Sequence, residues 1–213
     1  MFAFIESNKT KPEKLHVNPD ILADKLLNHS LLKIQNKEYR ICEVEFYPHD
    51  DPYRHKHVDQ NYIGCWYFHR YQNGTYKAGT WKGLDLTLGG QTFLIRSIYH
   101  KDTKMIEGPC KVVNHILEMY NCESVQAFVS QSFQETKTSK LGDPVSALEN
   151  KSNFVICDGI ATRDTIEEVH KGVRIGLSAK YPEFRVKEYR YLIGRHLIKR
   201  NKLKRASDLR SSL

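Results

Sequence analysis

The chain has 213 residues, which is enough for one sizeable hydrophobic core. Its 33 Lys and Arg residues exceed its 25 Asp and Glu residues, so its net charge is +8. This excess favours a polyanionic partner, nucleic acid above all, because Lys and Arg neutralise phosphates. No apolar run approaches the roughly 18 residues that span a bilayer, and the N-terminus does not resemble a signal peptide, so no membrane partner is expected. The five cysteines form no CxxC pair, which favours free thiols in an intracellular protein of the nucleus, nucleoid or cytoplasm.

The predicted elements start behind a loose arm at residues 1–16. The segment NPDILADKLLNH predicts a helix, because Asn18 can cap its N-terminus and Pro19 suits its first turn. SLLKI and YRICEVEFY predict an antiparallel pair of strands with a turn at residues 35–37. Side chains alternate along a strand, so one face of the second strand should carry Ile41, Glu43, Glu45 and Tyr47.

Residues 50–90 show little regular patterning but many Gly, Tyr, Trp and His, and so long an irregular stretch is usually functional. TFLIRSIY then predicts a strand with Arg96 inside it, and GPCKVVNHILEMY predicts a helix. Residues 131–151 are expected to be a flexible excursion. NFVICDG and GVRIGLS predict strands of a mixed or antiparallel sheet, within one domain over residues 17–198. The basic tail at 199–213 is a nuclear signal, a phosphate-binding tail or a solvated helix.

Glu45 is the leading candidate for chemistry. A carboxylate near the end of a strand, with an aromatic side chain on the same face, could act as a general base on water. It could instead form a structural salt bridge with Arg96 or a lysine. Arg96 lies where an apolar residue is expected, and a buried guanidinium needs a carboxylate or a phosphate. A Glu45–Arg96 contact is therefore predicted, and it is compatible with structure alone or with catalysis.

The irregular stretch offers two further patterns. The spacing of its histidines and Cys65 matches no closed zinc site, so ordinary loop histidines are expected and no metal or cofactor is predicted. A metal-dependent hydrolase that uses the cluster His49–His69 is the least favoured interpretation. Aromatic and basic residues also alternate here, which is typical of a surface that stacks on bases and grips phosphates, or of a loop folded on its own aromatics. These residues are Tyr71, Tyr76, Lys77, Trp81 and Lys82.

Four patches over roughly residues 17–192 resemble, in order, the alkyladenine (3-methyladenine) DNA glycosylase family of base-excision repair. They are ILADKLLNHSLLK, ICEVEFY…DPYRH, FLIRSI…IEGPCKVVNHIL and GVRIGLSAKYPEFR. The resemblance implies an α+β fold, a single domain with a curved, mostly antiparallel sheet and flanking helices. It also implies a monomer that acts without metal or cofactor on double-stranded DNA containing damaged purines.

The resemblance implies a role for each matching residue. Glu45 would be the base that activates water, Arg96 would help to hold that water, Tyr47 would stack on the flipped purine, and His55 would line the pocket. Such an enzyme extrudes the base from the duplex and then cleaves the glycosidic bond through an oxocarbenium-like sugar, which a carboxylate stabilises. The alternative is a non-catalytic module that binds a nucleic acid or nucleotide on the same fold.

The chain departs from the family where the substrate is read. GCWYFHRYQNGTYKAGTW replaces the family's turn before a tyrosine-rich strand, so the wedge that enters the duplex would be Trp81 or Tyr76. Asp85 matches a pocket asparagine of the family; alternatively, it caps a turn beside Gly83 or pairs with Lys82. The excised lesion, an alkylated or a deaminated purine, stays open.

Overall fold

The fold is built on one antiparallel sheet of ten strands in the computed structural model, which describes residues 18–133, 145–149, 152–159, 166–199 and 203–210. Within these ranges the strands are Ser30–Ile34 (β1), Lys37–Tyr47 (β2), Ile63–Phe68 (β3), Leu84–Leu88 (β4), Thr92–His100 (β5), Lys104–Glu107 (β6), Val145–Ser146 (β7), Phe154–Asp158 (β8), His170–Gly172 (β9) and Arg190–Leu192 (β10). The helices are Pro19–Asn28 (α1), Pro109–Met119 (α2), Val125–Phe133 (α3), Pro182–Arg185 (α4) and Ala206–Arg210 (α5), with 3-10 turns at Val58–Asn61 and Gly79–Trp81.

Strand β2 organises the sheet because it has neighbours along both edges. β5 pairs along one edge, while the other edge is shared by β1, over Lys37–Arg40, and β10, over Glu43–Glu45. The strand order is β7-β3-β4-β5-β2-β1-β8, with β6 added to β5 and β9 added to β10. Register shifts between Ile41 and Val44 mark a bulge that helps to curve the sheet. The predicted single α+β domain with a curved antiparallel sheet is confirmed at this level.

Several helices and strands lie at the positions predicted from the sequence. The Asn18 side chain caps α1 by accepting a hydrogen bond from the Asp20 N–H at 3.0 Å. β1 and β2 pair antiparallel on either side of a short turn, β5 carries Arg96, and α2 starts directly after Gly108. These predictions are confirmed.

Two segments differ from expectation. The stretch 50–90 contains β3 and β4. β4 is buried along its whole length although its sequence, LDLTL, alternates apolar and polar residues, and this alternation spans only five residues. GVRIGLS is not a strand, because only His170–Gly172 pairs in the sheet. The chain then leaves the sheet, and the Ile175 N–H donates to the Glu45 side chain instead of to a neighbouring strand.

The predicted boundaries are described only in part. The arm at residues 1–16 and the centre of the predicted excursion, 134–144, lie outside the described residues. On either side of that centre, α3 runs through Phe133, and β7 pairs with β3. In the predicted tail, the Lys204 carbonyl accepts a hydrogen bond from the Val173 N–H at 2.9 Å, and α5 follows. No helix in the described ranges is long and apolar enough to cross a bilayer.

The sheet has an apolar face and a polar face, and both are buried. Apolar side chains that alternate with polar ones along the central strands include Val44, Phe46, Phe93 and Ile95. Residues paired directly across antiparallel strands lie on the same face, and the pairings define one row across five strands: Tyr67, Asp85, Leu94, Glu45 and Arg190. This row carries buried charged side chains, so the polar face is where a functional site is expected.

Candidate functional site

Glu45 lies at the centre of the polar face and is completely buried. Its Oε1 accepts a hydrogen bond from the Ile175 N–H at 2.7 Å. Its Oε2 accepts one from the Tyr47 hydroxyl at 3.0 Å and lies 3.2 Å from Nη1 of Arg96. The carboxylate therefore has the donors that a buried negative charge requires.

A second buried carboxylate, Glu43, lies next to Glu45 on the strand face and shares Arg96 with it. Glu43 Oε1 accepts hydrogen bonds from Nε of Arg96 at 3.1 Å and Nε of Arg190 at 2.6 Å, and Oε2 accepts one from the Ser97 hydroxyl at 2.6 Å. Burial disfavours the Arg96 charge, but the two glutamates outweigh this effect and raise the pKa of Arg96. Two carboxylates thus balance two guanidinium groups, and the predicted Glu45–Arg96 contact is confirmed.

Tyr47 joins the cluster through its hydroxyl and its half-buried side chain. Burial, and then the Glu45 charge, raise the pKa of Tyr47 well above its usual range, so the hydroxyl remains a donor. The Arg174 guanidinium lies 4.5 Å from the ring centroid. Because the guanidinium covers one face of the ring, a stacking ligand would use the other face.

A cavity of about 230 Å³ opens beside this cluster. It lies between the polar face, the Gly79–Trp81 turn and the N-terminus of α2. Its lining residues are Glu43, Thr80, Arg96, Glu107, Gly108, Pro109, Cys110 and Lys111. Glu45 is not among them, so Arg96 is the group that connects Glu45 to the cavity.

His55 belongs to a second cluster, around the Tyr67 end of the row. Its Nδ1 lies 3.2 Å from the Tyr67 hydroxyl, its Nε2 lies 3.2 Å from Nζ of Lys77, and the His69 ring centroid is 4.1 Å from its own. Burial, and then the charge of His69, lower the pKa of His55 to about 3. Neutral His55 therefore accepts a hydrogen bond from Lys77 through Nε2. The structure places these groups, and not Glu45, around His55.

Asp85 is buried in β4, and both of its carboxylate oxygens are engaged. Oδ1 lies 2.9 Å from Nε2 of His69, and Oδ2 accepts a hydrogen bond from Nε2 of Gln60 at 3.2 Å. Burial raises the pKa of Asp85, but the charge and hydrogen bond of His69 outweigh burial and lower it overall. Asp85 thus holds His69 and Gln60, and it neither caps a turn beside Gly83 nor pairs with Lys82.

The predicted nucleic-acid surface is only partly exposed. The Trp81 side chain is 70% exposed. The Tyr76 ring is covered by Arg70, whose guanidinium lies 4.4 Å from the ring centroid and donates a hydrogen bond to the hydroxyl at 2.9 Å. Lys77 and Lys82 are half-buried. Of the two aromatic candidates for the wedge, Trp81 is therefore the one whose ring is open to a partner.

The histidines considered as metal ligands are dispersed among other contacts. His69 pairs with Asp85, and the His57 ring stacks on Tyr67 with 5.6 Å between centroids. Within the described ranges, no group of three or more His, Cys, Asp or Glu side chains could hold a metal ion. All five cysteines lie in these ranges, and none of them forms a disulfide.

Sequence reasoning missed three buried charged residues that support Glu45: Glu43, Arg174 and Arg190. Glu43 was placed on the correct face of β2, but a charged residue on a strand gives no sign of its burial. Arg190 interrupts the apolar pattern of EYRYLI in the same way that Arg96 interrupts FLIRSI. That signal could have identified Arg190, and also Arg174, which lies between Val173 and Ile175 in GVRIGLS.

The low pKa of His55 predicts a pH dependence of stability. The pKa is lowered from 6.5 to about 3, so between these values the unfolded chain binds one more proton at this side chain than the folded chain. Acidification from pH 6.5 towards 3 should therefore destabilise the protein, by at most about 1.4 kcal/mol per pH unit from this residue. His55→Gln should make the free energy of unfolding fall less between pH 7 and pH 4.5 in urea titrations.

The control for this prediction is His196→Gln, which changes an exposed histidine. It should leave the pH dependence of the parent protein unchanged. An equal pH dependence in His55→Gln and the parent protein would show that His55 is protonated alike in both states.

Together these features define a class: a single-domain α+β protein whose antiparallel sheet carries a buried ionic cluster beside a small cavity. No family model matches the chain. The chain is 36% identical over 203 residues to an uncharacterized protein of Acanthamoeba polyphaga mimivirus, and the alignment covers 85% of this chain and 88% of the viral protein. The chain therefore belongs to the same family as that viral protein.

Proposed function

We propose that the protein is a monofunctional purine DNA glycosylase with an alkyladenine DNA glycosylase-like fold. It hydrolyses the N-glycosidic bond of an alkylated or deaminated purine that is flipped out of double-stranded DNA, and it acts as a monomer without a cofactor. Glu45 takes a proton from water, the water oxygen bonds to C1′, and the purine leaves with the electrons of the broken C1′–N bond. Arg96 helps to hold the water, and Tyr47 stacks on the extruded base.

The observation that carries this proposal is the contact of Glu45 with both Tyr47 and Arg96. The three residues come from two strands, and the resemblance assigned each of them a role in the same reaction. Their carboxylate, hydroxyl and guanidinium groups meet within 3.2 Å in the interior. A buried charge stabilises a developing cation more strongly than an exposed one, because the effective dielectric constant is lower there.

The surroundings of this cluster support a nucleic-acid substrate. The cavity beside Arg96 is lined by Thr80, and the neighbouring residue in the chain is the exposed Trp81. A wedge next to a pocket is the arrangement that base extrusion requires. The net charge of +8 favours association with the phosphate backbone.

The proposal is tested by base release from the wild-type protein under single-turnover conditions. Duplexes that contain one alkylated or one deaminated purine are incubated with excess protein in chelator-containing buffer, and free base is measured by chromatography. We expect release from at least one lesion duplex and none from the undamaged duplex. No release from any lesion duplex by folded protein would rule out the proposed activity on these lesions.

A second candidate function is a non-catalytic module that binds a nucleic acid or nucleotide. Glu45 is completely buried, does not line the cavity, and has both oxygens engaged by protein donors, which favours a structural carboxylate. A module of this kind would bind lesion duplexes but release no base. The base-release measurement therefore separates the two candidates.

Trp81→Ala should weaken binding to the lesion duplex by roughly 5- to 150-fold, because stacking of one aromatic side chain on a base contributes about 1–3 kcal/mol. Tyr71→Ala is the matched control, since Tyr71 is a 46% exposed aromatic in the same stretch that does not adjoin the cavity. Fluorescence anisotropy in the Glu45→Gln background, in which base excision is expected to be slow, gives both dissociation constants. Equal losses of affinity in the two variants would show that Trp81 is not the wedge that enters the duplex.

A further inference from the structure

Arg174 is a buried arginine that touches the aromatic side of the proposed site. Its side chain is completely enclosed, and its guanidinium is surrounded by three tyrosines. The guanidinium lies 4.5 Å from the ring centroid of Tyr47, 5.6 Å from that of Tyr189 and 5.9 Å from that of Tyr53. These contacts fix the orientation of the Tyr47 ring from one side.

The polar contacts of Arg174 join three separate parts of the chain. Nη1 lies 2.7 Å from Oδ2 of the buried Asp51. The two groups form an ion pair, but their geometry is not that of a hydrogen bond. Nη1 also donates to the Phe46 carbonyl at 3.3 Å, and Nη2 donates to the Phe184 carbonyl at 3.1 Å. The planar guanidinium thus connects the end of β2, the loop behind it and α4.

The residue that follows Arg174 completes the link to the carboxylate. The Ile175 N–H donates to Oε1 of Glu45 at 2.7 Å, while the Tyr47 hydroxyl donates to Oε2. Arg174 therefore governs two of the groups that hold Glu45: it orients the ring of Tyr47 by stacking, and it anchors the backbone that presents the Ile175 N–H.

We propose that Arg174 is a positioning residue, which sets Tyr47 and Glu45 in one fixed arrangement; this role rests on the proposed glycosylase function. A guanidinium suits the task because it is flat enough to stack on a ring and carries several donors in a fixed fork. A lysine has one mobile ammonium group and cannot make these contacts together.

The test is Arg174→Lys, which keeps the positive charge near Asp51 and loses the planar fork. We expect the single-turnover excision rate to fall about tenfold to a hundredfold, because small displacements of reacting groups slow the chemical step. The dissociation constant for the lesion duplex should change by less than about threefold, a split between rate and affinity that loss of folded protein does not produce. Lys180→Met is the matched control: it removes an exposed cation 5.2 Å from the Tyr181 ring, and it should keep the wild-type rate.

A second measurement, independent of activity, is hydrogen exchange at the Ile175 amide. In Arg174→Lys this amide should exchange at least about tenfold faster than in the wild-type protein, while core amides of β5 are unchanged. Wild-type exchange at Ile175, or a wild-type excision rate, overturns the positioning role. Absence of base release by the wild-type protein overturns instead the proposed function, so the two failures are distinct.

Arg174→Lys could fail to fold, and a second variant covers that case. The double variant Asp51→Asn with Arg174→Met removes both charges of the pair, so that no uncompensated charge is left buried. The same rate, affinity and exchange measurements apply to it. The expected results are the same as for Arg174→Lys, and wild-type values would overturn the proposal.

Discussion

Glu45→Gln should lower the single-turnover rate of base excision by a factor of about 10²–10⁴, the usual effect of losing a general base. Glutamine can still accept the hydrogen bond from the Ile175 N–H, but its amide cannot take a proton from water. The affinity for the lesion duplex should change little, because Glu45 is buried and does not line the cavity. The rate is measured as free base released by excess protein, and the affinity by fluorescence anisotropy.

The control is Glu38→Gln, which neutralises an exposed carboxylate on the same strand. It should excise at the wild-type rate. If folded Glu45→Gln also excises at that rate, Glu45 is not the base, and the buried ionic cluster serves stability alone.

Arg190→Met should lower the free energy of unfolding by about 3–5 kcal/mol, independently of any activity. Arg190 is 1% exposed and donates to Glu43 at 2.6 Å. Without it, two buried carboxylates share the one guanidinium of Arg96, and an uncompensated buried charge costs an amount of this order. Urea unfolding followed by circular dichroism measures the change.

Two variants test that explanation. Arg205→Met breaks a surface pair with Glu188, in which the arginine side chain is 57% exposed, and it should cost less than about 1 kcal/mol. The double variant Glu43→Gln with Arg190→Met removes both charges and should be more stable than Arg190→Met alone. A double variant that is no more stable than the single one would show that packing, rather than charge, explains the loss.

The parts of the fold and site that could be predicted are those with a local signal. Asn18 and Gly108 mark helix starts by their chemistry, and the alternation in YRICEVEFY gives the shared face of Glu45 and Tyr47. Arg96 stands out because a charge is unexpected in an apolar strand, and a carboxylate partner follows from the need to compensate it.

The remaining parts depend on contacts between distant segments, which no local pattern encodes. The partners of Asp85 are His69 and Gln60. These contacts depend on the packing of β4 against the end of β3 and the Val58–Asn61 turn. His55 was grouped with Glu45 through the resemblance, yet its contacts lie at the other end of the row, with Tyr67 and Lys77. A carboxylate or an imidazole looks the same in sequence whichever of several neighbours it binds.

The pairing of β10 with β2 has a consequence for the biosynthesis of the protein. Glu43 accepts a hydrogen bond from the guanidinium of Arg190, 147 positions later in the chain, and Glu45 accepts one from the Ile175 N–H, 130 positions later. Contacts that close such long loops form late, because the entropy of loop closure is lost before they stabilise anything. Before the ribosome has made the segment from Ile175 to Arg190, β1, β2 and β5 can already pair, but the two glutamates lack part of their compensation. Until that segment is made, the two carboxylates lack their full set of donors, and an incompletely folded chain of this kind is prone to aggregate.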